Sequence, residues 1–200
     1  MFKKDPTPVL KVLEHLKADS SQYVRKSVSN NLNDIAKDNP EAVLKTAHRW
    51  IGNNPDTDWI LRWGCRTLIR KANPEAMALF GYTDSSQNNP LFENATLSVQ
   101  PDELHIGDSC ELHYSLDIAR NATAHIRLEY GIDFIKSNGK PSRKLFLLAD
   151  KTVAGATHLS RTRRHSFAEL TTRRHYPGIH RIVLQINGQE AAQTILNIRR

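Results

Sequence analysis

Two cysteines in 200 residues, Cys65 and Cys110, leave no disulfide framework to hold the chain together and no pair at metal-ligand spacing. Both read as structural thiols, so folding must come from apolar cores, which a chain of this length can supply in one or two domains. No stretch approaches the ~20 apolar residues that cross a bilayer. The opening MFKKDPTP is basic but lacks the apolar run of a secretory signal. A cytoplasmic protein without membrane contact is the expectation. There is no glycine-rich phosphate loop and no nucleophile elbow. His158, His165, His175 and His180 form no recognised metal motif, so no metal site is expected.

What the chain does have is surplus positive charge: 28 Lys and Arg against 21 Asp and Glu, a net of +7. An anionic partner suits that balance. The surplus is shared, with 13 cations against 10 acids in residues 1–86 and 15 against 11 in residues 87–200.

Apolar spacing divides the chain in two. In residues 1–86, PVLKVLEHLK (8–17) aligns with AVLKTAHRWI (42–51), and Asn39-Pro40 and Asn73-Pro74 are each followed by Glu and Ala, an offset of 34 to 36 residues. That is the period of a helix-turn-helix repeat, whose pairs bury their apolar stripes against one another. Helices are expected at about 7–17, 20–38, 40–51, 57–72 and 74–80. After the amide-rich YTDSSQNNP (82–90) the period changes to two: Ala95, Leu97, Val99; Leu112, Tyr114, Leu116, Ile118; Ile126, Leu128, Tyr130; Ile182, Leu184, Ile186. Turn signals fall at Gly107, Ser137 to Ser142, Tyr176 to Gly178, and Asn187-Gly188. About seven strands predict an antiparallel, immunoglobulin-like β-sandwich over 91–200, without the antibody cysteine pair. The fold class is therefore α + β in two domains.

Candidate chemistry concentrates on the helix in YVRKSVSNNLNDIAKDNP (23–40). At about 100° per residue, Val24, Val28, Leu32 and Ile35 gather on one side and Lys26, Asn30, Asn33 and Lys37 on the other, flanked by Tyr23 and Asp34. Ser20 or Ser21 can cap its start, and Asn39-Pro40 end it. One repeat later, Lys26, Asn30 and Asp34 become Arg62, Arg66 and Arg70, at i, i+4 and i+8. Such a stripe can follow consecutive phosphates, or it can be an ordinary solvated face. By its neighbours alone, Asp34 is a local hydrogen-bond partner of Asn30 or a cap-like contact. A second cluster, 158–181, holds Arg161, Arg163, Arg164, Arg173, Arg174 and Arg181, opposed only by Glu169. On a strand, Arg161 and Arg163 share one face and Arg164 takes the other. The cluster reads either as charge-protected strand edges or as a nucleic-acid contact. Trp50, Trp59 and Trp63 read as packing residues.

The segments YVRKSVSNNLNDIAKDNPE, DWILRWGCRTLIRKANPEA, NGKPSRKLFLL, RHSF, TTRRHYPGIHR and QINGQE, in this order, resemble the AlkC family of DNA alkylation-repair glycosylases over nearly the whole chain. The resemblance implies a HEAT-like repeat array that cradles double-stranded DNA and an immunoglobulin-like domain that adds a second DNA contact. The implied reaction is cleavage of the N-glycosidic bond of cationic bases such as 3-methyladenine and 3-methylcytosine, with no cofactor. Asp34 is implied as one of two acids at the lesion. Arg25, Lys26, Asn30, Asn33, Arg62, Arg66 and Arg70 would bind the DNA near it, and Arg161, Arg163, Arg173 and Arg174 would bind it from the β domain. Family members carry further helical repeats before this point, where the other acid and an aromatic lie. The resemblance thus predicts DNA binding with weak or absent excision, ahead of a glycosylase active at this length as an oligomer. The alternative of another class is a non-catalytic repeat module that binds an acidic protein partner.

Overall fold

A computed structural model describes residues 3–84, 90–119, 123–169 and 174–200. The chain forms two compact units, Met1–Gly81 and Tyr82–Arg200. The first is helical: α1 (Thr7–Leu16), α2 (Gln22–Asp38), α3 (Pro40–Trp50), α4 (Pro55–Gly64), α5 (Arg66–Arg70) and α6 (Pro74–Leu79). α3, α4 and α6 each begin on an Asn-Pro pair. Proline presets the helical φ and lacks an N–H that the first turn would leave unpaired. Asn54 and Asn73 add caps, their side-chain oxygens accepting from the amides of Asp56 and Ala76. Ser21 does occupy the N-cap of α2, but its hydroxyl makes no capping bond.

The helix expected over 57–72 is broken in two, and the cause lies on α2. Asn33 Oδ1 accepts from the Thr67 amide at 3.3 Å and the Thr67 hydroxyl at 2.8 Å. In an unbroken helix that amide would meet the Trp63 carbonyl. Instead the Trp63 carbonyl accepts from the Arg66 guanidinium at 2.6 Å. A side chain inserted into the i→i−4 ladder is a known cause of such breaks.

α2 packs on α4 with Leu32, Ile60 and Leu61 fully buried beside Val43, Leu44, Ala47 and Trp50. The two helices approach closely at Gly64, where an added Cβ would lie 2.8 Å from Leu32 Cβ. The buried face of α2 is Val28, Ser29, Leu32, Asn33 and Ala36. It is rotated from the apolar quadrant toward Asn33, and Val24 and Ile35 are only half-buried.

The second unit contains eight strands among the described residues: β1 (Phe92–Gln100), β2 (Glu103–His105), β3 (Ser109–Ile118), β4 (Ala124–Ile135), β5 (Pro141–Val153), β6 (His158–Ser166), β7 (Gly178–Ile186) and β8 (Gln189–Arg199). They form two sheets, β1-β3-β6 and β2-β8-β7-β4-β5. All pairings are antiparallel except the short parallel contact of β2 with β8. Asn187 and Gly188 turn β7 into β8 with φ of 46° and 86°, the left-handed pair that a two-residue hairpin requires. Alternate residues of both sheets fill the core, including Leu116, Ile126, Leu128, Leu184, Leu112, Ile132, Phe167 and Ile182. Cys65 and Cys110 are free and buried, and burial pushes their thiols up to about 12 and about 11. Both are structural.

The outer face of the larger sheet carries an ion lattice that ties four strands. Arg143 on β5 donates to both oxygens of Asp133 on β4 at 2.7 and 2.8 Å, and also to Glu190 on β8. Arg181 on β7 donates to Glu190 at 2.6 Å. The Arg143 guanidinium holds the Asp133 carboxyl below the usual carboxylate range and, with Arg181, does the same to Glu190. No helix among the described residues is long and apolar enough to cross a membrane.

Two outcomes follow for stability. Gly64→Ala should cost about 1–3 kcal/mol, because the new methyl meets a fully buried side chain; urea denaturation of the variant measures it. Depressed folded values for Asp133 and Glu190 mean that their contribution is complete above the ordinary carboxylate range near pH 4 and is lost as pH falls through the folded values. The urea midpoint of the β unit should therefore fall on acidification, and Arg143→Met should reduce that fall.

Candidate nucleic-acid interface

The helical face expected from the 36-residue offset exists in register. Arg66 Nη2 on α5 donates to Asn30 Oδ1 on α2 at 3.2 Å, which sets the two elements side by side at that offset. Lys26, Asn30, Asp34, Lys37 and Arg70 are exposed, and Arg62 and Arg66 are half-buried. Guanidiniums held this way are partly ordered before any ligand arrives, which lowers the entropic cost of binding. The break between α4 and α5 separates Arg62 from Arg66 and Arg70, so the stripe is two short segments and not one straight i, i+4, i+8 line.

Asp34 is the acid on this face. Its Oδ1 accepts from Lys37 Nζ at 2.6 Å, with the Asp34 side chain 70% exposed. The partner is thus Lys37 at i+3, and Asn30, the partner expected from sequence, bonds Arg66 instead. An exposed pair of this kind contributes roughly 0–1 kcal/mol, so a ligand can replace it cheaply.

Two residues assigned to the face do not lie on it. Asn33 is 4% exposed and serves the break at Thr67. It belongs to the polar quadrant of the helical wheel, at the edge next to Ser29, and the packing of α4 and α5 turns that edge inward. Arg25 is half-buried, donates to the carbonyls of Asp19 at 2.8 Å and Ser20 at 3.0 Å, and pairs with Asp56 at 3.3 Å. Those contacts anchor the start of α2, the role that sequence gave to a serine cap.

One aromatic residue departs from the packing role expected of it. Trp50 is fully buried as expected, but Trp63 is 50% and Tyr23 80% exposed. The Trp59 and Trp63 rings lie 5.9 Å apart. The signal was present in sequence, since Trp63 falls between Arg62 and Arg66 on the polar side of its helix.

In the β unit, Arg161 and Arg163 stand opposite Tyr114 and Leu112 on β3, so both share the face that looks toward the second sheet, and Arg164 takes the outer one. Arg174 is exposed. Arg173 lies outside the described residues. His165, His175 and His180 all pack around Phe134 and Phe167. His165 also meets the Tyr130 hydroxyl at 2.9 Å and His180 accompanies the Gly178 carbonyl at 3.0 Å, while His158 meets Asp117 at 2.6 Å. Burial lowers the His180 imidazole below its usual value. No group of metal-ligating side chains occurs among the described residues.

A family model described as the C-terminal Ig-like domain of the uncharacterised protein YhaZ matches residues 93–200. The chain belongs to the YhaZ family. The YhaZ protein of Bacillus subtilis (strain 168) is 43% identical over 188 residues, which are 94% of this chain and 51% of that protein. The structure of Pseudomonas fluorescens alkylpurine DNA glycosylase AlkC, bound to DNA containing an abasic site analog, superposes with a TM-score of 0.92 at 34% identity, over 100% of this chain and 54% of that one. The resemblance to AlkC read from sequence is thus a resemblance of fold as well. The chain spans about half the length of these relatives.

Asn33→Ala should cost the helical unit about 1–3 kcal/mol, because it removes one acceptor from two donors at a part-buried position. Urea denaturation followed by tryptophan fluorescence reads this directly, since all three tryptophans lie in that unit.

Proposed function

We propose that this YhaZ-family chain is a DNA alkylation-repair protein that binds double-stranded DNA on the face formed by α2, α4 and α5. The observation that carries this is the Arg66 to Asn30 bond, which sets α5 beside α2 at the 36-residue offset and supports reading Lys26, Arg62 and Arg70 as parts of the same cationic face. Its support is a fold shared over the whole chain with a glycosylase solved on DNA. Arginine forks bind phosphate oxygens bidentately, and displaced counterions make such binding salt-dependent. Arg164 and Arg174 offer further cations from the β unit.

Asp34 is the proposed carboxylate at the lesion. An alkylated base already carries positive charge and leaves readily, so the protein's task is to stabilise the cationic sugar and admit water at the anomeric carbon. A carboxylate suits that task once Lys37 gives way to the ligand. Because the chain corresponds to about half of each relative, duplex binding is proposed first and excision second.

Anisotropy of a labelled duplex should report binding that weakens steeply with salt. Replacing Arg62, Arg66 and Arg70 together with Ala should reduce affinity at least tenfold and flatten the log–log salt dependence by about 2 to 3 units. Absence of binding even at low ionic strength overturns the proposal. Excision is read separately: release of 3-methyladenine or 3-methylcytosine from alkylated DNA should disappear in Asp34→Asn, and no release at high protein concentration removes the catalytic part.

A further inference from the structure

The β-sandwich is open along one side. β5 closes the larger sheet and β6 the smaller, so each is an edge strand, with β4 and β3 as their respective neighbours among the described residues. Although consecutive in the chain, they do not pair with each other. Between them runs a groove of about 460 Å³ whose lining includes Leu147 and Lys151 from β5 and Leu159, Arg161 and Arg163 from β6, with Tyr114 behind. Neither Asp nor Glu is among the described residues that line it. Leu147 is 50% exposed, an apolar side chain left to water in a groove that Leu128, Leu148 and Leu159 also line.

The chemistry of the two walls narrows the occupant. An unpaired edge accepts another strand through its main-chain groups, and alternate side chains of the added strand then confer specificity. A second copy of this chain would bring Lys151, Arg161 and Arg163 against their own kind, and like charges repel. A single nucleic-acid strand would match the charge, but proteins that hold such strands stack successive bases on exposed aromatic rings. Here the apolar surface is leucine, and Tyr114 is 8% exposed. An extended peptide meets all three features: main-chain pairing, apolar contact and charge.

We infer that this groove is a strand-addition site for an acidic extended segment of a partner protein. The segment pairs with the outer edge of β6. Since Leu159, Arg161 and Arg163 share one face at a spacing of two, the segment presents one apolar and two acidic side chains at the same spacing. The inference does not rest on the helical DNA face.

The test uses the full chain and a fluorescein-labelled ten-residue peptide of alternating Glu, Ser and Leu built on that pattern. Saturable binding is expected, weakened at least tenfold in Arg161→Glu/Arg163→Glu and separately weakened in Lys151→Glu on the opposite wall. Circular dichroism of each variant verifies the fold. A peptide of the same composition interrupted by proline should bind at least tenfold more weakly, because it cannot pair as a strand. Equal binding of the interrupted peptide overturns the inference, as does binding that survives both charge reversals. Displacement of the peptide by a single-stranded oligonucleotide that binds more tightly also overturns it and assigns the groove to nucleic acid. A duplex titration run in parallel keeps the two proposals apart, since its failure counts only against the helical face.

Discussion

The near-contact of Leu32 with Gly64 sets the geometry of the helical unit. Without a side chain at position 64, α2 and α4 come close enough for Asn33 to reach Thr67 and for Arg66 to reach Asn30. The buried amide breaks one helix, and the break turns a guanidinium onto a carbonyl that the helix would otherwise have used. A packing constraint in the core thereby determines where positive charge stands on the surface. The cations are arranged by the interior, and Asp34 is placed among them by the same helix.

The β unit solves a different problem. Its two sheets share a core in which alternate residues interleave, while the outer face of the larger sheet is tied by Arg143, Arg181, Asp133 and Glu190. A lattice that shares each cation between acids on different strands resists shear more than an isolated pair does, because each member has two partners to hold its geometry. The side away from β1 and β2 has no such closure, and there the walls are lined by cations.

Much of this was legible in the sequence, for local reasons. Asn-Pro pairs mark helix starts because proline's constraint acts within one residue. The change of period near residue 90 marks the strands, because side-chain alternation is a property of each strand, although the second unit already begins at Tyr82. What escaped reading depends on contacts remote in sequence. The break after Gly64 is caused by Asn33, whose partner Thr67 lies 34 residues further along the chain. Asn33 itself looked exposed because a helical wheel does not know which flank a neighbour will cover. Arg25 looked available because its partners include main-chain carbonyls, which carry no sequence signal. The parallel contact of β2 is three residues long, too short to show alternation. Trp63 escaped because its type suggests a core and only Arg62 before it and Arg66 three residues after it suggest otherwise. Asp34 is the reverse case: it is exposed, as its place on the wheel implies, but its partner is Lys37.

The edges of β5 and β6, which pair with no further strand among the described residues, also bear on how the protein behaves in bulk. Long unpaired edges are templates for aggregation, and here the guard against it is electrostatic, because β6 carries arginines and no acid. Such a guard is only as long as the Debye length, about 10 Å at 0.1 M salt and 3 Å at 1 M. Concentrated salt would therefore remove the repulsion while leaving the edges and their leucines in place, so that colloidal stability, unlike the fold itself, is set by the ionic medium.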